Sequence, residues 1–440
     1  MPHRKYQAPG LAVPSGRLSR LARFGGLASG IAGNMVLDGA KQFARGKRPS
    51  MSDLLLTPAN ALKVTHQLAQ LRGAAMKIGQ LMSMDAGELL PPELADILGR
   101  LRADAQHMPQ GQLTAALGLR WGKGWQDRFA QFSLAPMAAA SIGQVHRAQT
   151  VDGRDLAIKI QYPGVRHSID SDVNNVAALM KMSGILPKTL DITPMLAEAK
   201  RQLHEEADYK REAHYLARFG TLLADAPEFQ VPDLHRDLST DTILAMTYLE
   251  GVPVESLVDA PQETRDRVMT LLVGLLFREL FEFHLMQTDP NFANYRYNPD
   301  TGQIVLLDFG ATREFTPELV AAHRALMRAG LEGDGAMVRQ AALDMGLLSP
   351  STPADVVDTA MAMFELAIEP IRRGGAYDFA NTDLTSRMRD EGMALATRRD
   401  VWHIPPIETL FLQRKFGGVY FLASRLKARV DVRAVLEQYL

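Results

Sequence analysis

Residues Leu285–Phe315, LMQTDPNFANYRYNPDTGQIVLLDFGATREF, limit the fold more than any other stretch of the chain. Two short strand-like runs flank the turn Pro299-Asp300-Thr301-Gly302, a combination that favours a tight antiparallel hairpin. Such a hairpin returns its second strand beside the start of its first. Asn294 and Asp308 should therefore lie side by side, although they are distant in sequence. Two oxygen ligands on adjacent strand ends, completed by phosphate oxygens and water, suit Mg²⁺. A plain hairpin with acids near its ends is the competing reading, and this segment alone does not separate the two.

Other segments do. Asp289 precedes Asn294 by the same interval as the aspartate and asparagine of a kinase catalytic loop. Upstream, DLAIKIQY reads as a strand with Leu156, Ile158 and Ile160 on one face and Lys159 on the other. A lone strand lysine is usually a snorkelling surface residue; at this position it can hold nucleotide phosphates in the manner of the V-A-I-K strand. Before it, AAASIGQV matches the kinase glycine loop in part. Gly143 and Val145 stand at the third glycine and the valine, but Ala138 and Ala140 replace the first two glycines. Alanine adds a Cβ and disfavours positive φ, so a stiffer loop is expected. The ordered set of loop, Lys159, Asp289, Asn294 and Asp308 predicts a Mg²⁺–nucleotide site. A helix glutamate should brace Lys159, and LAEAKRQLHEEADYKREAHYLARF offers Glu205, Glu206, Asp208 and Glu212 without choosing among them.

Composition sets the outer bounds. Of 440 residues, 46% are hydrophobic and 22% charged, enough apolar matter for a large core. A net charge of −1 provides no global field for nucleic acid, and no nucleic-acid partner is expected. The absence of cysteine excludes disulfides, thiolate metal sites and cysteine nucleophiles. The most apolar run, Val268–Phe277, is shorter than the roughly 20 residues of a bilayer span and reads as a buried helix. Arg4, Lys5, Arg17, Arg20 and Arg23 precede the first acid, Asp38. That stretch reads either as a transit peptide or as a basic amphipathic segment touching anionic lipid. Helical periodicity over Thr57–Met84 and again after Pro92 makes residues 1–122 a helical extension. Residues 123–248 read as a smaller mixed lobe with a helical insert, and 249–440 as a larger helical lobe.

KIGQ (Lys77–Gln80), AAAS, the AIK ending at Lys159, EAD (Glu206–Asp208), QTDPNFAN, LLDFGATREF and the C-terminal LQRKFGG together resemble the UbiB family of atypical kinase-like proteins, above all its coenzyme Q branch. The resemblance implies an α+β, two-lobed protein-kinase-like fold with a helical N-terminal extension, and ATP and Mg²⁺ as cofactors. Lys159 would contact phosphate and pair with Glu212; Asp289 would stand at the catalytic-aspartate position; Asn294 and Asp308 would bind metal. Lys77 and Gln80 would face the nucleotide site, with Lys77 approaching Glu206 and Asp208. Ala138, Ala139, Ala140 and Ser141, with Gly143 and Val145, would form the loop over the phosphates, and Met246, Tyr248 and Leu249 would hold adenine through backbone groups.

The expected function is that of a Mg²⁺-dependent ATPase or atypical kinase supporting ubiquinone biosynthesis. Its expected partners are ATP and ADP, quinone-precursor lipids and ubiquinone-biosynthesis enzymes. A non-catalytic nucleotide-gated scaffold is the alternative from another class. A protein kinase is the weaker enzyme alternative, because no A-P-E motif follows Asp308 at activation-segment distance. The resemblance favours a mature basic extension over a removable leader, and peripheral membrane contact. The expected location is the bacterial cytoplasm or inner-membrane surface, or the mitochondrial matrix for a eukaryotic source. Two departures stand out: Gln287 replaces the histidine of many relatives, and the C-terminal membrane helices of some relatives are missing.

Overall fold

The computed structural model describes residues 73–74, 77–78, 107–182, 192–289, 291–384, 386–388, 390–391 and 407–440. Most of the expected helical extension, Gln80 included, lies outside the described residues. The chain divides into two compact units, Met1–Ala213 with Leu234–Tyr248, and His214–Asp233 with Leu249–Leu440.

In the first unit, α1 (Gln110–Trp121) precedes β1 (Phe129–Phe132), β2 (Ala138–Ala139), β3 (Gly143–Thr150) and β4 (Asp155–Gln161). Three helices follow: α2 (Val165–Met182), α3 (Thr193–Glu206) and α4 (Tyr209–Leu222), which the division cuts after Ala213. A later strand, β6 (Ile243–Thr247), completes an antiparallel sheet in the order β1-β3-β4-β6, with β2 added to β3. The VDGRD segment turns the chain between β3 and β4; Gly153 takes φ 89° and its N–H donates to the Thr150 carbonyl at 3.0 Å. Leu156, Ile158 and Ile160 are buried with Ile243 and Ala245 against Trp121, Trp125 and Phe129. The Trp121 and Trp125 rings lie 5.9 Å apart, and the Trp121 indole N–H donates to the Leu238 carbonyl at 2.9 Å.

The second unit contains β5 (Phe229–Gln230), β7 (Val252–Pro253), α5 (Gln262–Phe281), β8 (Leu285–Gln287), β9 (Tyr295–Tyr297), β10 (Ile304–Leu306) and β11 (Thr312–Glu314). It continues through α6 (Pro317–Glu332), α7 (Gly335–Asp344), α8 (Ala354–Arg372), β12 (Tyr377–Asp378), α9 (Ile407–Arg425), β13 (Arg429–Val430) and α10 (Val432–Leu436). The apolar run of α5 is buried as expected, with α9 and α10 packed against this helix. No helix among the described residues is long and apolar enough to cross a membrane. The start of α6 follows from its sequence: Thr316 accepts the Leu319 N–H as N-cap, and proline occupies the first turn. The expected hairpin is β9–β10, with Leu306 opposite Tyr295. Sequence periodicity did not anticipate the parallel pairing of β5 with β10 or the pairings β8–β11 and β12–β13. Strands of two or three residues are too short to display alternation.

Replacing Trp121 with alanine should lower the first unit's stability by about 3–5 kcal/mol, through lost burial and the cavity left among the aromatic rings. Urea unfolding followed by circular dichroism checks this. A loss under about 1 kcal/mol would show that the cluster is not a packed core.

Candidate active site

The site residues of the first unit are organised by one buried ion pair. Lys159 leaves β4 with its Nζ donating to both carboxylate oxygens of Glu212, at 2.8 and 2.9 Å. The Glu212 side chain is 1% exposed and that of Lys159 10%. Of the acids that the sequence offers, the structure thus selects Glu212 as the partner. The cause is local: Asp208 accepts the Arg211 N–H at 3.1 Å, which starts α4 and places Glu212 in its first turn, where the helix dipole favours an anion. The Tyr209 ring lies beneath the ammonium, 5.3 Å from Nζ to the ring centre.

Gly143 pairs with Gln161 across β3 and β4. A Cβ at position 143 would sit 2.4 Å from the Ile160 carbonyl oxygen and 2.9 Å from the Tyr209 hydroxyl, so no side chain fits there. The alanine run is strand and turn, not helix. Ala138 and Ala139 pair with Val145 and Gln144, and the Ala140 N–H donates to the Gly143 carbonyl at 2.9 Å. Ser141 donates its hydroxyl to one oxygen of Glu206 at 2.5 Å, while Lys77 donates to the other at 2.6 Å. Lys77 is buried, and one helical turn before it a Cβ on Gly73 would lie 2.9 Å from the Ser141 carbonyl oxygen. Gly73 and Lys77 therefore both lie against the loop. The three residues of EAD hold different neighbours. Glu206 receives Lys77 and Ser141, the Ala207 carbonyl accepts the buried Gln161 amide at 2.8 Å, and Asp208 caps α4.

Met246 is buried on β6 opposite Ala157. The Tyr248 N–H donates to the Asp155 carbonyl at 2.8 Å, and the Arg147 guanidinium stacks 3.9 Å above the Tyr248 ring. Leu249 is the first residue after the division.

In the second unit the hairpin brings Asn294 beside the strand end that carries Asp308. The Leu307 N–H donates to the Asn294 carbonyl at 3.1 Å. The Asn294 amide donates to Asp289 Oδ2 at 3.3 Å, and the Asn291 N–H lies 3.3 Å from Asp289 Oδ1. Asp308 accepts the Gly310 N–H at 2.9 Å, so Gly310 turns the chain and also orients the carboxylate. Thr288 donates both its hydroxyl and its N–H to the Ala311 carbonyl, at 2.7 and 3.2 Å, tying the segment before Asp289 to the segment after Asp308. Phe309 is buried, its ring 4.9 Å from that of Phe219. The donor set of Asn294 and Asp308 consists of oxygens and fits Mg²⁺, which takes few protein ligands and leaves positions to phosphate and water.

Tyr209 and Gln161 were not singled out by the sequence. The signal for Gln161 was available, since alternation places it on the strand face of Lys159. Nothing local marks Tyr209.

Residues 100–342 match the ABC1 atypical kinase-like domain. The chain is 38% identical over 430 residues to the mitochondrial atypical kinase COQ8 of Saccharomyces cerevisiae, covering 97% of this chain and 85% of that protein. It is likewise 38% identical to the mitochondrial atypical kinase COQ8B of Rattus norvegicus, covering 97% and 80%. The solved structure of Rv3197 with erythromycin, from Mycobacterium tuberculosis, superposes with a TM-score of 0.60 at 25% identity, over 86% of this chain and 95% of that one.

Removing Glu212 by mutation to alanine takes the two-point carboxylate contact from the buried Lys159 ammonium and should cost about 3–5 kcal/mol of stability without nucleotide. The pair replacement Lys159→Met with Glu212→Leu should recover most of that loss, because it removes both charges. Chemical denaturation of the two variants decides the matter. Equal losses would mean that the pair is not desolvated.

Proposed function

Because the chain belongs to the ABC1 atypical kinase-like family and has its α+β, protein-kinase-like fold, we propose that it binds ATP with Mg²⁺ and hydrolyses or transfers the terminal phosphoryl group. The buried, two-point contact between Lys159 and Glu212 carries this reading. It fixes and aims the ammonium, which is what a phosphate-binding lysine requires. Asn294 and Asp308 would hold the metal, with the Gly310 N–H fixing one Asp308 oxygen. When bound, Mg²⁺ supplies neutralisation of charge on the phosphate oxygens. Asp289, steadied by Asn291 and Asn294, would orient the attacking water or hydroxyl. Ala138–Ser141, Gly143 and Val145 would border the phosphates, while backbone groups at Met246, Tyr248 and Leu249 would receive adenine. Lys77, held by Glu206, would act from the extension, together with Gln80.

The names of the COQ8 relatives extend the proposal to ubiquinone biosynthesis, with quinone-precursor lipids and the enzymes of that route as partners and peripheral contact with a membrane. A nucleotide-gated scaffold is the second reading. The tie from Lys77 through Glu206 to Ser141 favours it, because a loop pinned at Ser141 suits slow turnover.

Phosphate release by purified protein should require Mg²⁺ and fall on the order of 100-fold or more in Asp308→Asn. Equal release from wild type and variant would sink the ATPase reading. In S. cerevisiae lacking COQ8, the wild-type chain should restore ubiquinone and Asp308→Asn should not. A wild-type chain that is expressed and still fails to restore ubiquinone would remove the pathway assignment while leaving the site intact.

A further inference from the structure

The LQRKFGG motif contributes nothing to the chemistry proposed above, yet its lysine is among the most buried charges of the described residues. Lys415 and Glu279 are 2% and 1% exposed, with Nζ 3.3 Å from Glu279 Oε2. Lys415 comes from α9 and Glu279 from α5, and neither belongs to the segment that they touch. From Nζ, Lys415 donates to the Gln287 carbonyl at 2.6 Å and to the Tyr295 hydroxyl at 2.6 Å, and it lies 3.4 Å from the Gln287 side-chain oxygen. The main-chain N–H of Gln287 points to Glu279 Oε1 at 3.3 Å.

Gln287 is the residue before the segment 288–294, and Tyr295 is the residue after it. That segment holds Asp289 and Asn294. We infer that Lys415 and Glu279 are positioning residues, which fix both ends of the segment bearing Asp289 and Asn294 from a single buried ammonium. The inference rests on the ATP-dependent reading for the roles of Asp289 and Asn294; the clamp itself rests on contacts within the second unit.

Burial alone would lower the Lys415 pKa, but attraction to Glu279 and Tyr295 outweighs it and holds the pKa above the ordinary lysine value. Burial also pushes the Glu279 carboxyl up, against the pull of Lys415. A charged pair at this depth is a poor way to add stability, since apolar residues of similar volume usually do as well or better. What apolar residues cannot do is donate from one point to a main-chain carbonyl and a phenol at once. A displacement of about 1 Å at catalytic groups can cost on the order of 100-fold in rate, which gives such a clamp a role in turnover.

The test compares wild type with Lys415→Met and with the double variant Lys415→Met/Glu279→Gln, which leaves no unpaired charge behind. For the folded double variant, kcat for ATP hydrolysis should fall about 10-fold or more while the KM for ATP with Mg²⁺ stays within about threefold. Amide hydrogen exchange, without nucleotide, should accelerate at Gln287, Asn294 and Leu307 relative to the α6 amides. Unchanged kcat in a folded, hydrolysing protein would overturn the inference, as would unchanged exchange at those amides. If the wild type hydrolyses no ATP, the functional reading falls, and the exchange experiment still decides whether Lys415 holds the segment.

Discussion

An ammonium group withdrawn from water must meet a carboxylate, and the first unit is arranged around that requirement at Lys159. Glu212 can reach it because Asp208 sets the first turn of α4. Asp208 is in turn fixed by its neighbours in EAD, since Gln161 holds the Ala207 carbonyl and Lys77 and Ser141 hold Glu206. Gly143 allows β3 to come close enough to β4 and Tyr209 for the whole arrangement to close. Strand, helix start and loop are therefore one connected solution to the problem of a buried positive charge.

The parts of this solution that depend on local rules were readable in the chain. Alternation along DLAIKIQY placed Lys159 opposite the apolar face, and the Pro299–Gly302 turn brought Asn294 to the strand end before Asp308. The acid facing Lys159 was not chosen by the sequence pattern. Glu205, Glu206, Asp208 and Glu212 crowd one stretch, and only the position of the helix start decides which of them faces the strand. The family resemblance pointed to Glu212, and the contact at 2.8 Å agrees with it.

Contacts set by tertiary packing left no such trace. Lys415 reads as one cation in a polar run, and its burial follows from the packing of α9 on α5 and on the strand before Asp289. Glu279 sits in an apolar helix where its neighbours suggest core, so the carboxylate looks out of place until its partner is known. Short strands such as β8 and β11 were missed for a related reason. Their pairing is specified by what they connect, with Thr288 and Ala311 joined across them, and not by their own composition.

A segment whose two ends are hydrogen-bonded to one atom behaves as a closed ring, although no covalent bond closes it. The stretch between Gln287 and Tyr295 has this character through Lys415. In an ordinary surface loop an inserted residue is accommodated cheaply, because closure entropy grows slowly with length. A ring tied at both ends inside a core has nowhere to send an extra residue without breaking the tie. The segment should therefore tolerate exchange of an exposed side chain such as Ala293 far better than any insertion or deletion.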